Sequence, residues 1–214
     1  MLLLLVVVAL AVPTHSQFQR NEVFSHVSSS YEDQVKYMRR CVALAEEAMK
    51  NGQAPVRHVI FFLLHYVDAI QTMMVQYGAL IVDPRNRTIV SEGKNHASQN
   101  PIFHGEIDAI NTLASKVKNV YDIAPYLELY TSAEPCPMCM SAILWSGFKR
   151  VYFGTSISYL EKEKLDQINI RAQYVANAAT SFRKVEIVGG LLSNETNPLY
   201  DHAKYHNHDD HHHH

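Results

Sequence analysis

The chain has 214 residues, a formal net charge of −2, and 47% hydrophobic against 19% charged residues. That length supports one core and hardly two, and the composition is globular rather than disordered. Without a positive excess there is no basic field to collect phosphates, which counts against nucleic acid as the main partner.

The apolar run Leu2 to Val12 is too short for a bilayer, which needs about 20 residues. Followed by Pro13 and the small residues Thr14 and Ser16, it reads as a secretory signal peptide over 1–16, the alternative being an anchoring or disordered N-terminus. Residues 17–30 are polar and irregular. Apolar periodicity then predicts an amphipathic helix from Tyr31 to Lys50, with Val35, Met38, Val42, Ala45 and Met49 on one stripe and Asn51-Gly52 as its stop. Cys41 on that helix reads as a buried thiol.

Further on, Tyr77 to Val82 and Thr88 to Glu92 read as strands around an Asp83-Pro84-Arg85-Asn86-Arg87 turn, with Gly93-Lys94-Asn95 leaving the second. Strands follow at Tyr126 to Thr131, Lys149 to Gly154 and Lys184 to Val188, and a helix at Gln173 to Ala179. Strands interleaved with helices predict α/β layering. Asn86-Arg87-Thr88 and Asn194-Glu195-Thr196 are N-glycosylation sequons, the first at a predicted exposed hairpin tip.

The chemistry-bearing residues stand in two short motifs, His104-Gly105-Glu106 and Pro135-Cys136-Pro137-Met138-Cys139. One imidazole and two thiolates make a Zn²⁺ site of three protein ligands, His104, Cys136 and Cys139, with the fourth tetrahedral position left for water. A closed structural site would need a fourth strong donor nearby, and none appears. Bound zinc brings the pKa of water to roughly 7. Glu106, two residues from a ligand and flanked by Ile107, Ala109 and Ile110, is the candidate to ferry protons as the catalytic acid/base. Pro137 marks a helix start at the second motif, and the first motif opens another helix. Two helix N-termini facing each other across one metal is the expected geometry.

These residues form the H-x-E…P-C-x-x-C pattern of zinc deaminases. The order of elements around them resembles the cytidine deaminase-like superfamily over Tyr31 to Val188. Glu134 to Cys139 with Ala142, Ile143 and Trp145 is similar to the guanine deaminase and tRNA adenosine deaminase branch, and His104-Gly105-Glu106 to fungal cytosine deaminases. The resemblance implies a three-layer α/β fold with a central mixed five-stranded sheet flanked by helices, in one domain over 31–200. It implies zinc held by His104, Cys136 and Cys139, proton transfer by Glu106, and a base hydrogen-bonded by Asn95 and by the Gly105 N–H. It also implies a homodimer. Phe103, where a small residue is expected, would narrow the pocket or stack on it.

One segment departs from the family. Residues 56–76 separate Ala54-Pro55 from Tyr77-Gly78, which adjoin in the resembling proteins. Two readings stand: an inserted hydrophobic helix, or a retained intron, since Val56-Arg57 and Gln76 can be encoded with intron-edge triplets in frame. The His-rich tail 201–214 is a metal-binding low-complexity end or an expression remnant, outside the zinc argument. The expected function is a secreted zinc hydrolase releasing ammonia from a free base or nucleoside of guanine, cytosine or adenosine type, with no membrane contact in the mature form. The alternatives are a catalytically impaired zinc-binding homologue and an RNA- or DNA-editing deaminase.

Overall fold

The computed structural model describes residues 27–52, 77–97 and 99–201. The predicted leader 1–16, most of the segment 17–30, the segment 56–76 and the tail beyond Asp201 lie outside the described residues.

Helix α1 (Tyr31–Gly52) starts at Ser30, whose Oγ accepts the Asp33 N–H at 3.2 Å, as an N-cap should. Its buried face is Tyr37, Met38, Cys41, Leu44, Ala45 and Ala48. The predicted stripe is therefore rotated: Val35, Val42 and Met49 are only half-buried at its edge. Tyr37 explains the rotation, because its ring packs edge-on against Tyr130 of the sheet at 5.3 Å. Cys41 is fully buried, as expected, and burial pushes its thiol up.

Strands β1 (Gly78–Asp83) and β2 (Thr88–Lys94) form an antiparallel hairpin with Asn86 exposed in its turn. Strands β3 (Glu128–Ala133), β4 (Arg150–Thr155) and β5 (Glu186–Val188) complete one sheet in the order β2-β1-β3-β4-β5. The β1–β3 pair is antiparallel, whereas β3–β4 and β4–β5 are parallel. The five-stranded mixed sheet is thus as expected.

Helices α2 (Gly105–Ala114), α3 (Val120–Ile123), α4 (Pro137–Ser146), α5 (Ile157–Lys162), α6 (Ala172–Ala178) and α7 (Ser193–Thr196) surround it. On β1, Ala79 and Ile81 enter the core formed with Ala109, Leu113, Met140, Ile143 and Ala176 from α2, α4 and α6. Their neighbours Leu80 and Val82 enter the opposite core with α1. Side chains alternate across a strand, so a strand covered on both faces reads as a continuous apolar run. That is the sequence Ala79-Leu80-Ile81-Val82, and the result is three layers.

This topology sets the site. Because β1 runs against β2 and β3, the residue before β1 (Tyr77), the residue after β2 (Asn95) and the residue after β3 (Glu134) share one sheet edge.

Candidate active site

At that edge two helices present their N-termini to each other. His104 is the N-cap of α2 (φ −75°, ψ 162°) and Cys136 the N-cap of α4 (φ −63°, ψ 167°), both extended and neither side chain capping its helix. Pro137 suits the first helical position, where its missing N–H costs nothing. Gly147 closes α4 in the left-handed region at φ 93°, its N–H donating to the carbonyls of Ile143 and Leu144. The first turn of α4 then carries Cys139 back beside Cys136.

His104 Nδ1 lies 3.6 Å from Cys136 Sγ and 3.5 Å from Cys139 Sγ. The three donor atoms all lie within 4.8 Å of one another. Zinc bonds of about 2.3 Å to sulfur and 2.05 Å to nitrogen, opened to a tetrahedral angle, separate those donors by roughly 3.6 Å. The donor set therefore fits Zn²⁺ in spacing and in chemistry. The hydrogen bonds from Cys139 and His104 hold the Cys136 thiol down to about 4, against burial. Its partner Cys139, as donor to Cys136, is pushed up, and so is His104, chiefly by Cys136. Metal binding displaces such shared protons, since the thiol ligands must be deprotonated.

Glu106 stands in the first turn of α2, 5% exposed and outside the donor set. Thr131 Oγ1 of β3 donates to its Oε1 at 3.3 Å. Burial raises its pKa, and the charge of Cys136 adds to this. Glu106 is thus a buried carboxylate beside the donor cluster and outside it, the environment in which perturbed acid/base groups are found.

A cavity of about 170 Å³ opens onto these groups, walled by Tyr77, Asn95, Ala97, His104, Glu106 and Cys136. Asn95 is 8% exposed, and its N–H donates to the Tyr77 carbonyl at 3.0 Å. Cys139 and Gly105 are buried beside the cavity. A Cβ at Gly105 would come within 2.9 Å of the Tyr77 carbonyl oxygen, so glycine lets α2 approach the start of β1. Phe103 is half-buried and is not a wall residue; the ring beside the imidazole is Tyr77, at 6.4 Å and 22°.

The sequence reading missed the far wall, made by Glu134, Leu165, Asp166 and Gln167. Leu165 to Gln167 lie in the irregular stretch between α5 and α6, where no periodicity or motif marks them. Glu134 heads the motif that carries the family resemblance but was given no role of its own, yet it is 6% exposed and organises that wall. Its Oε2 accepts the Ile157 N–H and its Oε1 the Ala172 N–H, both at 2.9 Å, so one carboxylate caps the starts of α5 and α6. Glu134→Ala is expected to destabilise the fold by about 3 kcal/mol, because each buried N–H left without an acceptor costs about 1–3 kcal/mol. Urea unfolding would measure this, and a wild-type midpoint would refute it.

The model of the cytidine and deoxycytidylate deaminase zinc-binding region matches residues 63–155. A tRNA-specific adenosine deaminase of Rickettsia felis is 35% identical over 131 residues, covering 58% of this chain and 83% of that protein. The guanine deaminase of Bacillus subtilis is 42% identical over 79 residues, 36% of this chain and 48% of that protein. Among solved structures, the guanine deaminase from Nitrosomonas europaea superimposes with a TM-score of 0.61 at 19% identity, over 84% of this chain and 86% of that one, and so shares the fold. Three donors spaced for zinc, a separate buried carboxylate and this match place the chain in the cytidine and deoxycytidylate deaminase zinc-binding family, as a zinc-dependent hydrolase of C–N bonds in nucleobases or nucleosides.

Proposed function

We propose that this protein hydrolyses the exocyclic amine of a free nucleobase or nucleoside of guanine, cytosine or adenosine type, giving the keto product and ammonia. The observation that carries the reading is Glu106, a buried carboxylate beside the three-donor cluster and facing the cavity. Zn²⁺ would be held by His104, Cys136 and Cys139 and would supply the Lewis acidity that lets water lose a proton near neutral pH. Glu106 takes one proton from the attacking water and delivers it to the ring nitrogen, then takes the second from the hydroxyl left on the attacked carbon and delivers it to the departing amine. The C–N bond breaks as the C=O bond forms, and no other reactant is needed. Asn95 and the Gly105 N–H hold the ring so that its amine-bearing carbon faces Glu106.

A small substrate rather than a polynucleotide is supported by the walls, which among the described residues carry Glu134 and the exposed Asp166 and no Lys or Arg. Backbone binding needs several cations to neutralise phosphates. Ammonia release from guanine, cytosine, adenosine and an adenosine-containing RNA hairpin tests this. Turnover of the hairpin alone would overturn it. On whichever base is active, Asn95→Ala is expected to raise KM about tenfold, the worth of one hydrogen bond of about 1.4 kcal/mol. An unchanged KM would remove Asn95 from the substrate's partners.

Action outside the cell belongs to the same proposal. It rests on the leader-like run Leu2 to Val12 and on two sequons whose asparagines, Asn86 and Asn194, are both exposed. The homodimer implied by the resemblance finds support in Trp145 and Phe182, exposed aromatic rings packed at 4.7 Å, a surface of the sort oligomers cover.

A further inference from the structure

We propose that Tyr200 is a positioning residue of the metal site, acting on His104 through Tyr77; this rests on the reading of His104 as a ligand. Three aromatic rings stand in a row. Tyr200 stacks on Tyr77 with centroids 5.3 Å apart at 25°, and Tyr77 stacks on His104 at 6.4 Å and 22°. Both separations fall within the range over which aromatic pairs attract.

The far end of the row is fixed independently of any metal. Tyr200 closes the 3-10 turn Asn197–Tyr200 and is wholly buried. Its hydroxyl shares a 2.7 Å hydrogen bond with Ser132 Oγ on β3, and the same Oγ accepts the Gly78 N–H at 3.1 Å. The hydroxyl is thereby tied to both strands that frame the site. The turn itself is anchored to β4, where Thr155 Oγ1 donates to Asn197 Oδ1 and shares a hydrogen bond with Thr196 Oγ1, both at 2.9 Å.

The near end needs support. His104 is an extended N-cap whose side chain makes no capping bond, and rotation about the imidazole's χ2 is intrinsically broad. The Pro101 carbonyl is a polar contact on its ring, and Tyr77 covers a face. With Tyr200 behind it, Tyr77 cannot swing away, so Nδ1 stays aimed at the two sulfurs. Groups that orient a metal ligand without touching the metal are typically worth 10–100-fold in metal affinity.

The test compares Tyr200→Leu, Tyr200→Phe and wild type in the full chain. It measures zinc affinity by competition with a chromophoric chelator, the visible spectrum of the Co²⁺-substituted protein, and thermal unfolding of the metal-free form. Tyr200→Leu is expected to bind zinc about tenfold more weakly and to shift the Co²⁺ bands. Tyr200→Phe, which keeps the ring, should stay close to wild type in both. A folded Tyr200→Leu with wild-type zinc affinity and an unshifted Co²⁺ spectrum would overturn the proposal. If Tyr200→Leu does not fold, Tyr77→Leu takes its place, and the same wild-type values there overturn it equally. Wild-type protein that takes up no zinc would instead refute the metal-site reading, and this proposal with it.

Discussion

Glu106→Gln is expected to lower kcat/KM by about 10²–10⁴ while leaving zinc content unchanged. That range corresponds to about 3–5 kcal/mol of transition-state stabilisation. The amide is isosteric with the carboxylate and still accepts the Thr131 hydroxyl, so the first turn of α2 keeps its place. What it cannot do is carry a proton, and deamination asks it to carry two in sequence. A group that takes two protons from water in turn, and returns one to the ring nitrogen and one to the amine, must lie outside the donor set, as Glu106 does. If Glu106 were a fourth ligand, the variant would lose zinc along with activity. Metal analysis on the protein used for the kinetics separates the two cases, and undiminished turnover on every active substrate would end the mechanism.

The site was legible where its chemistry is local. His104 with Glu106, and Cys136 with Cys139, lie within one helical turn of each other, and Pro137 marks the start of α4. Element boundaries were harder, for identifiable reasons. The strand predicted from Tyr126 begins at Glu128, because Pro125 draws Ala124–Tyr126 into a 3-10 turn. Glu128, given no role in the sequence reading, is 1% exposed, accepting from Tyr130 at 2.9 Å and from Tyr152 and Arg150 at 3.4 Å. Gly93 reads as a turn, but β2 runs on through Lys94. The glycine is there because a Cβ would collide with the Ala109 nitrogen and the Gly105 oxygen of α2. Tyr77, Leu165 to Gln167 and Tyr200 reach the site or its support only through tertiary packing. No spacing in the chain relates them.

Cys136→Ser is expected to abolish zinc binding and deamination together, with the helix it begins left intact. A serine hydroxyl does not ionise near neutral pH, so the site keeps one imidazole and one thiolate where it needs two thiolates. The same substitution suits the backbone. Position 136 is the N-cap of α4, its present side chain makes no capping bond, and serine is among the best residues there, worth about 1 kcal/mol over a non-capping side chain. Metal-free Cys136→Ser should therefore unfold no earlier than metal-free wild type. Added zinc should raise only the wild type, by about 4 kcal/mol at a thousandfold excess over Kd. Glu106→Gln should respond to zinc as wild type does and still fail to release ammonia. Catalysis and metal retention are thus separable at two residues whose side chains meet the same cavity, provided the ion is held by His104, Cys136 and Cys139 alone. A Cys136→Ser protein that still binds zinc with wild-type affinity would show that the donors lie elsewhere.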